Sequence, residues 1–172
     1  WALPNLSDVV CRDLSDREPP PASYESVESL SVWDHLAETA VDKVTSGGFT
    51  SSYTGELFAE AEVDEYVRRV VELAQLSADE SSRVLEIGCG AGLVMFEMAP
   101  KVGAYVGLDQ SSATQERNRE YIARNHVSNI ELVTGMAHEI DVLTNGRFDL
   151  IIVASTAQFF PGPIYFEQVV KK

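Results

Sequence analysis

The sequence predicts an α/β fold built on a doubly wound parallel sheet, and the second half of the chain carries the pattern. Short, mostly apolar runs alternate there with helical segments, and none of these runs alternates regularly between apolar and polar residues. Continuous apolar strands are typical of parallel sheets that helices cover on both faces. Because crossovers between parallel strands are almost always right-handed, the strands are expected to form a doubly wound sheet.

Four strands are predicted in this half, with helical segments between them. A helix from Leu93 to Ala99, closed by Pro100, follows the first strand, and a polar helix over 112–125 follows the second. A further helix is expected over 164–172, and we expect more strands beyond it. The predicted strands are RVLEI (83–87), AYVGL (104–108), IELVT (130–134) and FDLIIVA (148–154).

The chain divides into a linker and helical lid region over residues 1–80 and a partial core over residues 81–172. Three consecutive prolines at 19–21 cannot continue a helix and favour an extended lead-in. Apolar residues then recur at helical spacing over about 31–46, where two glycines end the pattern, and again over 60–76. The first region therefore predicts two helices ahead of the sheet.

Most of the negative charge belongs to this first region. The formal net charge is −14; residues 1–82 contain 17 acidic and 5 basic residues (−12), and residues 83–172 contain 10 and 8 (−2). This balance excludes a typical nucleic-acid binder, which needs a basic surface. We interpret the acidic face of the helix over 60–76 as solvated, with a partner-docking face as the alternative.

Composition also excludes a membrane-spanning helix and a disulfide framework. No apolar run reaches the roughly 18–20 residues that a bilayer requires. Cys11 and Cys89 are the only cysteines and form no CxxC motif, so neither a disulfide scaffold nor a cysteine-based zinc site is expected. A cytoplasmic setting is the resulting expectation, with no metal.

The turn after the first predicted strand carries the strongest functional signal. It reads Glu86-Ile87-Gly88-Cys89-Gly90-Ala91-Gly92, and its glycines permit a tight turn and close approach of a ligand beside a helix N-terminus. The dinucleotide pattern G-x-G-x-x-G fails, because Leu93 stands where its last glycine is needed. Glu86 is poorly placed against a pyrophosphate but suits an ammonium group. The turn thus favours a nucleoside ligand with a cationic amino group, such as S-adenosylmethionine.

Two further strand ends extend the predicted site. Asp109 lies 21 residues after Gly88, at the end of the second strand, where a carboxylate can accept both ribose hydroxyls. The third strand is followed by Gly135-Met136-Ala137-His138-Glu139, where backbone amides and polar side chains could read an adenine edge. Simpler roles remain open: a helix cap for Asp109 and a plain loop histidine for His138.

Simpler roles are also considered for Glu86, for Cys89 and for the histidines. The alternative role of Glu86 is that of a surface acid at a strand end. Cys89 is interpreted as a small turn residue rather than a nucleophile, since the motif contains no histidine to pair with it. His35 and His126 are interpreted as structural. No histidine here qualifies as a general base, and a base, if one exists, is expected beyond Lys172.

These motifs resemble those of class I S-adenosylmethionine-dependent methyltransferases. VLEIGCGAG looks like their first motif and YVGLD like their acidic strand end, over about residues 83–172. The resemblance implies a Rossmann-like core whose later strands are missing here. The fourth strand end reads VAST rather than an NPPY-like sequence, which speaks against methylation of nucleic-acid amines.

A narrower resemblance lies on either side of the core. GGFTSSYTGELF (47–58) and STAQFFP (155–161) are similar to segments of methyltransferase domains embedded in polyketide synthases and nonribosomal peptide synthetases. This implies that Tyr53 and neighbouring Ser52 help to close the cofactor pocket and that Gln158 faces the substrate. It also implies neighbouring synthase domains and an acyl or peptidyl carrier protein whose phosphopantetheine arm holds the substrate.

The implied reaction is methyl transfer from S-adenosylmethionine to a carrier-tethered acyl intermediate, leaving S-adenosylhomocysteine. O-methylation is favoured over N- or C-methylation. A non-catalytic degenerate domain serving as a spacer is one alternative, and a nicotinamide-dependent reductase, disfavoured by Leu93, is another. The expected cofactor-binding residues are Tyr53, Glu86, Gly88, Cys89, Gly90, Gly92, Asp109, Gln110, Ala137, His138, Glu139 and Ser155.

Overall fold

The computed structural model describes residues 33–35, 37–51 and 53–172. The predicted proline-rich lead-in, the start of the first predicted helix, Cys11 and Ser52 lie outside these residues. Residues 33–35 and 37–39 are helical, and a separate short helix, α1, spans Lys43–Ser46.

The single helix predicted over about 31–46 is therefore interrupted, and Asp42 is the reason. The backbone leaves the helix before Asp42, whose Oδ1 accepts a hydrogen bond from the Thr45 backbone N–H at 2.8 Å. The Thr45 side chain in turn faces the Asp42 backbone, which completes a reciprocal cap. Such a cap starts a new helix and satisfies N–H groups that would otherwise lack partners.

Within the described residues, the sheet has four parallel strands in the order β3-β2-β1-β4, which confirms the predicted parallel architecture. The chain builds outward from β1 to β3 and then returns to the other side of β1. This reversal makes a topological switch point between β1 and β4, where open α/β sheets bind their ligands at the carboxyl ends. The strands are β1 (Arg83–Ile87), β2 (Ala104–Asp109), β3 (Ile130–Thr134) and β4 (Leu150–Ile152).

Helices cover both faces of the sheet. The helices after α1 are α2 (Glu60–Ala74), α3 (Leu93–Met98), α4 (Ser112–Asn125), α5 (Ile140–Leu143) and α6 (Pro163–Val170). Neighbouring residues of one strand serve opposite cores, because successive side chains point to opposite faces. Val84 packs in the core that contains α2 and α3 residues, whereas Leu85 packs in the core that contains Tyr165 and Val169 of α6.

Helix α2 accounts for much of the acidic surface. Its inward face buries Val63, Val67, Val71 and Ala74, and its acidic residues are exposed. Glu65 forms ion pairs with Arg68 and Arg69 on that outer surface. This arrangement agrees with a solvated face. Among the described residues, none of the helices has the length and apolar character needed to span a bilayer.

Candidate functional site

The glycine turn after β1 is fixed against the end of β2. The Gly90 N–H donates to Asp109 Oδ2 at 2.9 Å, and the Gly90 carbonyl accepts a hydrogen bond from Asn118 Nδ2 of α4 at 2.8 Å. The Gly88 N–H donates to the Leu108 carbonyl at 2.7 Å. The predicted turn and the predicted acidic residue therefore lie at one edge of the sheet and contact each other directly.

Glycine is required in this turn for two different reasons. Gly88, Gly90 and Gly92 have φ angles of 77°, 49° and 79°, a region that glycine enters without steric penalty. A Cβ on Gly88 would lie 2.4 Å from the Thr156 hydroxyl oxygen, across the switch point between β1 and β4. A Cβ on Gly90 would meet no atom within 4 Å. The backbone at Gly90 is thus open to a ligand, whereas the backbone at Gly88 touches the segment after β4.

Glu86 is a buried carboxyl rather than a surface acid. It is 3% exposed, and its Oε2 accepts a hydrogen bond from the Tyr105 hydroxyl at 2.8 Å. Burial raises the pKa of Glu86 to about 8, the Tyr105 hydrogen bond lowers it, and the nearby charge of Asp109 raises it. In the absence of a cationic partner, a buried carboxyl near pH 7 retains its proton.

Asp109 is also largely desolvated. Burial raises its pKa, while hydrogen bonds from the Ser111 and Gly90 backbone amides act in the opposite direction and the charge of Asp34 adds to the rise. None of the ion pairs among the described residues includes Glu86 or Asp109. A buried carboxyl and a half-buried one without a basic partner form a site that a cationic ligand would stabilise.

The raised pKa of Glu86 predicts how the stability of the protein changes with pH. Its folded pKa of about 8 exceeds its ordinary value of 4.5, so the folded protein keeps a proton that the unfolded protein releases in that interval. The stability that Glu86 contributes is therefore fully present below about pH 4.5 and is lost as the pH rises through about 8. We expect Glu86→Gln to become more stable relative to the unaltered protein as the pH rises from 5 to 8, by a few kcal/mol at about 1.4 kcal/mol per pKa unit.

Urea unfolding at pH 5, 6, 7 and 8 measures this difference. Glu116→Gln, an exposed glutamate on α4 that pairs with Arg119, is the matched control and should follow the unaltered protein at each pH. Parallel stability curves for Glu86→Gln and the unaltered protein would contradict a raised pKa at Glu86.

The residues after β3 form a tight turn rather than an open loop. Ala137 is buried, and Glu139 Oε2 accepts a hydrogen bond from the Met136 N–H at 2.9 Å. His138 faces α6, where its Nδ1 lies 3.1 Å from the Tyr165 hydroxyl oxygen. Gln110 is half-buried beside Asp109. The backbone of this turn lies at the same edge of the sheet as Asp109, since Gly135 N–H donates to the Asp109 carbonyl at 3.0 Å.

The residues expected from the synthase resemblance lie further out. Tyr53 is 99% exposed, in a loop closed by an antiparallel bridge between Thr50 and Leu57. Ser155 has a φ of 52°, an uncommon value for a residue other than glycine, and Gln158 is exposed in the short 3-10 helix after it. The structure places Ser155 next to the switch point, whereas the exposed Tyr53 side chain does not pack against the glycine turn.

Tyrosines in the site were not predicted from the sequence. Tyr66 of α2 lies in the helical pattern over 60–76, where the sequence predicts only an apolar face. Burial raises the pKa of Tyr66, a hydrogen bond with the Ser155 side chain lowers it and the charge of Glu86 raises it. The Phe49 ring packs edge-on against the Tyr66 ring, with centroids 5.5 Å apart. Tyr105 was expected as an ordinary strand residue. The hydroxyl groups of Tyr66 and Tyr105 are the sequence signal that points to a role in the site, because a buried phenol needs a hydrogen-bond partner.

Two chemistries find no support in the site. Cys89 is buried, and burial raises the pKa of its thiol well above the ordinary value, so it is an inert turn residue rather than a nucleophile. In the part of the chain that the structure describes, no group of three or more histidine, cysteine or carboxylate side chains could hold a metal ion.

This combination of parallel sheet, glycine turn and acidic strand end defines the class: an α/β protein that binds a nucleoside cofactor at a switch point. Residues 84–171 match the family model described as a methyltransferase domain. The chain therefore belongs to the class I S-adenosylmethionine-dependent methyltransferases. Among solved structures, it is similar to the N-methyltransferase NodS from Bradyrhizobium japonicum, with a TM-score of 0.58 and 22% identity over 65% of this chain and 60% of that one, which supports the fold.

Sequence relatives narrow the setting of the domain. The chain is 32% identical over 163 residues to the chondramide synthase cmdD of Chondromyces crocatus, covering 90% of this chain and 4% of that protein. It is 30% identical over 162 residues to the nonribosomal peptide synthetase CymA of Salinispora arenicola, covering 88% of this chain and 2% of that protein. The chain thus spans only a small part of these relatives and is similar to a methyltransferase-bearing segment of such synthetases.

Proposed function

We propose that this domain binds S-adenosylmethionine at the carboxyl ends of β1 and β2 and methylates an intermediate held on a carrier protein. The contact of the Gly90 backbone with Asp109, beside open space at Gly90, is the observation that carries the proposal. The residues fit this cofactor. It brings a cationic amino group to the buried Glu86, and it brings no phosphate that Glu86 or the half-buried Asp109 would repel.

Each part of the site has an assigned role in this proposal. The turn from Gly88 to Gly92 lets backbone approach the cofactor, and Glu86 ionises as it meets the ammonium group. Asp109 accepts the ribose hydroxyls, with Gln110 beside it, and the turn from Ala137 to Glu139 borders the adenine. Glu86 and the neighbouring Tyr66 and Ser155 would line the methionine end of the pocket.

The cofactor supplies a methyl group on a positively charged sulfur. The acceptor's lone pair forms the new bond to that methyl carbon, the carbon–sulfur bond breaks, and its electron pair neutralises the sulfur. The domain contributes by holding the two partners in line and by excluding water, which in favourable systems is worth several kcal/mol. No step in this account requires a metal or a nucleophilic cysteine.

The acceptor atom is the finer part of the proposal. Oxygen was favoured from the sequence, and an alcohol acceptor gains from a general base. His138 is directed at Tyr165, and His126 forms the exposed end of α4. The peptide synthetase relatives favour a second candidate, an amino nitrogen, because peptide synthetases assemble amino acids and a neutral amine carries its own nucleophilic lone pair.

The carrier protein is proposed to dock away from α2. Carrier proteins are usually acidic, and the outer face of α2 is acidic as well, so their charges would repel. Ser155 and Gln158 are exposed residues that follow β4, and the phosphopantetheine arm is proposed to approach the site there. Gln158 is assigned to the substrate side on this basis.

Two experiments test the function in sequence. Isothermal titration of the purified protein with S-adenosylhomocysteine tests the cofactor site, and absence of binding would contradict the whole proposal. Radiolabelled methyl transfer is then measured with carrier proteins loaded with a hydroxyacyl or an aminoacyl thioester of equal length. Label on the hydroxyacyl carrier supports O-methylation and label on the aminoacyl carrier supports N-methylation. Binding without transfer to either carrier is followed by the same assay with a β-ketoacyl thioester, where label supports C-methylation and its absence supports a non-catalytic spacer.

A further inference from the structure

The helical residues 33–35 and 37–39, here called the roof helix, bridge the carboxyl edge of the sheet. At one end of the bridge, Asp34 Oδ1 accepts a hydrogen bond from Ser111 Oγ at 2.5 Å. At the other, the Trp33 ring packs edge-on against Phe159, with ring centroids 4.9 Å apart. Ser111 follows β2 and Phe159 follows β4, and β1 lies between these strands. The roof helix therefore connects the strand ends on both sides of the glycine turn.

Ser111 joins the roof helix to the acidic residue of the site. Ser111 is fully buried, and its N–H donates to Asp109 Oδ1 at 2.9 Å. Its hydroxyl oxygen also accepts the Thr114 N–H at 3.1 Å, which caps α4. With its single hydroxyl proton given to Asp34, Ser111 has every polar atom of its side chain engaged. One buried residue, Ser111, thus contacts both Asp109 and the roof helix.

Arg117 of α4 holds the far end of the same segment. Its guanidinium donates to the backbone carbonyls of Ala37 and Ala40. Carbonyls at the end of a helix lack partners within the helix and favour a cation. A second part of α4 therefore secures the segment that Asp34 secures at its start.

We propose that Asp34 is a positioning residue for the cofactor, because its bond to Ser111 holds the roof helix over the site that Asp109 and the glycine turn form. This inference rests on the proposed function. Asp34 retains the bound nucleoside and takes no part in the transfer step. Its loss should therefore raise the dissociation constant and the KM for the cofactor and leave kcat nearly unchanged.

The test compares two isosteric variants on the same helix. Asp34→Asn and Glu38→Gln each remove one negative charge, but Glu38 is exposed. We expect Asp34→Asn to weaken S-adenosylhomocysteine binding up to about tenfold, because the Asn amide oxygen accepts a neutral hydrogen bond from Ser111 in place of a charge-assisted one, and Glu38→Gln to stay within about twofold. Equal affinities for the two variants would overturn the proposal, whereas absence of binding by the unaltered protein would instead overturn the proposed function.

Tryptophan fluorescence provides the readout that separates positioning from a simple charge effect. The chain has two tryptophans, Trp1 and Trp33, so a Trp1→Phe background leaves Trp33 as the single reporter of the roof helix. In that background Asp34→Asn should shift Trp33 emission to longer wavelength without ligand, and Glu38→Gln should not. Weaker binding by Asp34→Asn with unshifted emission would assign Asp34 a purely electrostatic role and overturn positioning.

Discussion

Replacing Asp109 with alanine is expected to weaken S-adenosylhomocysteine binding by at least about 100-fold. The carboxylate would accept two hydrogen bonds from the ribose, and hydrogen bonds to a charged group contribute about 1.5–3 kcal/mol each. Two such bonds correspond to a factor of 100 or more in the dissociation constant. The alanine variant also loses the bonds from the Gly90 and Ser111 amides, so the turn itself would be less well fixed. Isothermal titration at pH 7.5 measures the change.

Two further variants make this result interpretable. Asp109→Asn keeps the size of the side chain and one of the two oxygens that accept the Gly90 and Ser111 amides, so we expect a smaller fall in melting temperature than in Asp109→Ala and about tenfold weaker binding. Asp141→Asn removes a surface carboxylate that pairs with Lys172 at 2.8 Å and should change neither quantity measurably. Unchanged affinity for both Asp109 variants would contradict the placement of the ribose at Asp109.

The sheet could be predicted from the sequence because its information is local. The runs around Leu85 and Val106 are mostly apolar, and the structure buries their neighbouring residues against helices on opposite faces. The turn at Gly88 and the acid at Asp109 were predictable for a related reason. Parallel strands end at the same edge of a sheet, so residues that follow them meet there whatever the rest of the fold does.

Elements at the margins of the sheet were predicted less well. β4 was expected over 148–154, but the structure pairs only Leu150–Ile152 with β1. Ile151 is 52% exposed on this outer strand, which has one paired side. The chain then turns away, and Ser155 adopts its positive φ beside the switch point. Apolar composition marks a strand, but pairing partners decide its length.

Contacts over long sequence separations could not be inferred at all. Asp34 and Ser111 are 77 residues apart, and the sequence motif around Asp34 indicates only a helix start. Tyr66 likewise reads as one position in an apolar stripe of α2, although its phenol reaches the site. A polar atom at the border of an apolar stripe can face solvent or a neighbouring strand end, and only tertiary packing decides between them.

The division of the chain near residue 80 and the roles of Tyr53 and Gln158 stay predictions.

Gly88→Ala is expected mainly to lower the stability of the protein, whereas Gly90→Ala is expected mainly to weaken cofactor binding. Both positions have positive φ, which costs a residue with a Cβ about 1–2 kcal/mol. Gly88→Ala adds a clash with the Thr156 side chain, so we expect a total loss of about 2–4 kcal/mol in the free energy of unfolding. Gly90→Ala has no such clash and should lose only about 1 kcal/mol, yet its methyl group would occupy the space left for the cofactor.

Urea unfolding and S-adenosylhomocysteine titration on the same samples separate the two effects. We expect Gly90→Ala to bind at least about tenfold more weakly while it stays folded, as the exclusion of a closely approaching ligand requires. Gly146→Ala, at a φ of 90° in the loop before β4, controls for backbone strain away from the glycine turn; its added Cβ would lie 3.1 Å from Nη1 of the flexible Arg83 side chain. Thr156→Gly should recover part of the stability lost in Gly88→Ala, because it removes the clashing atoms. If Gly90→Ala binds as tightly as Gly146→Ala, the cofactor does not pass over Gly90, and the open backbone there serves the turn alone.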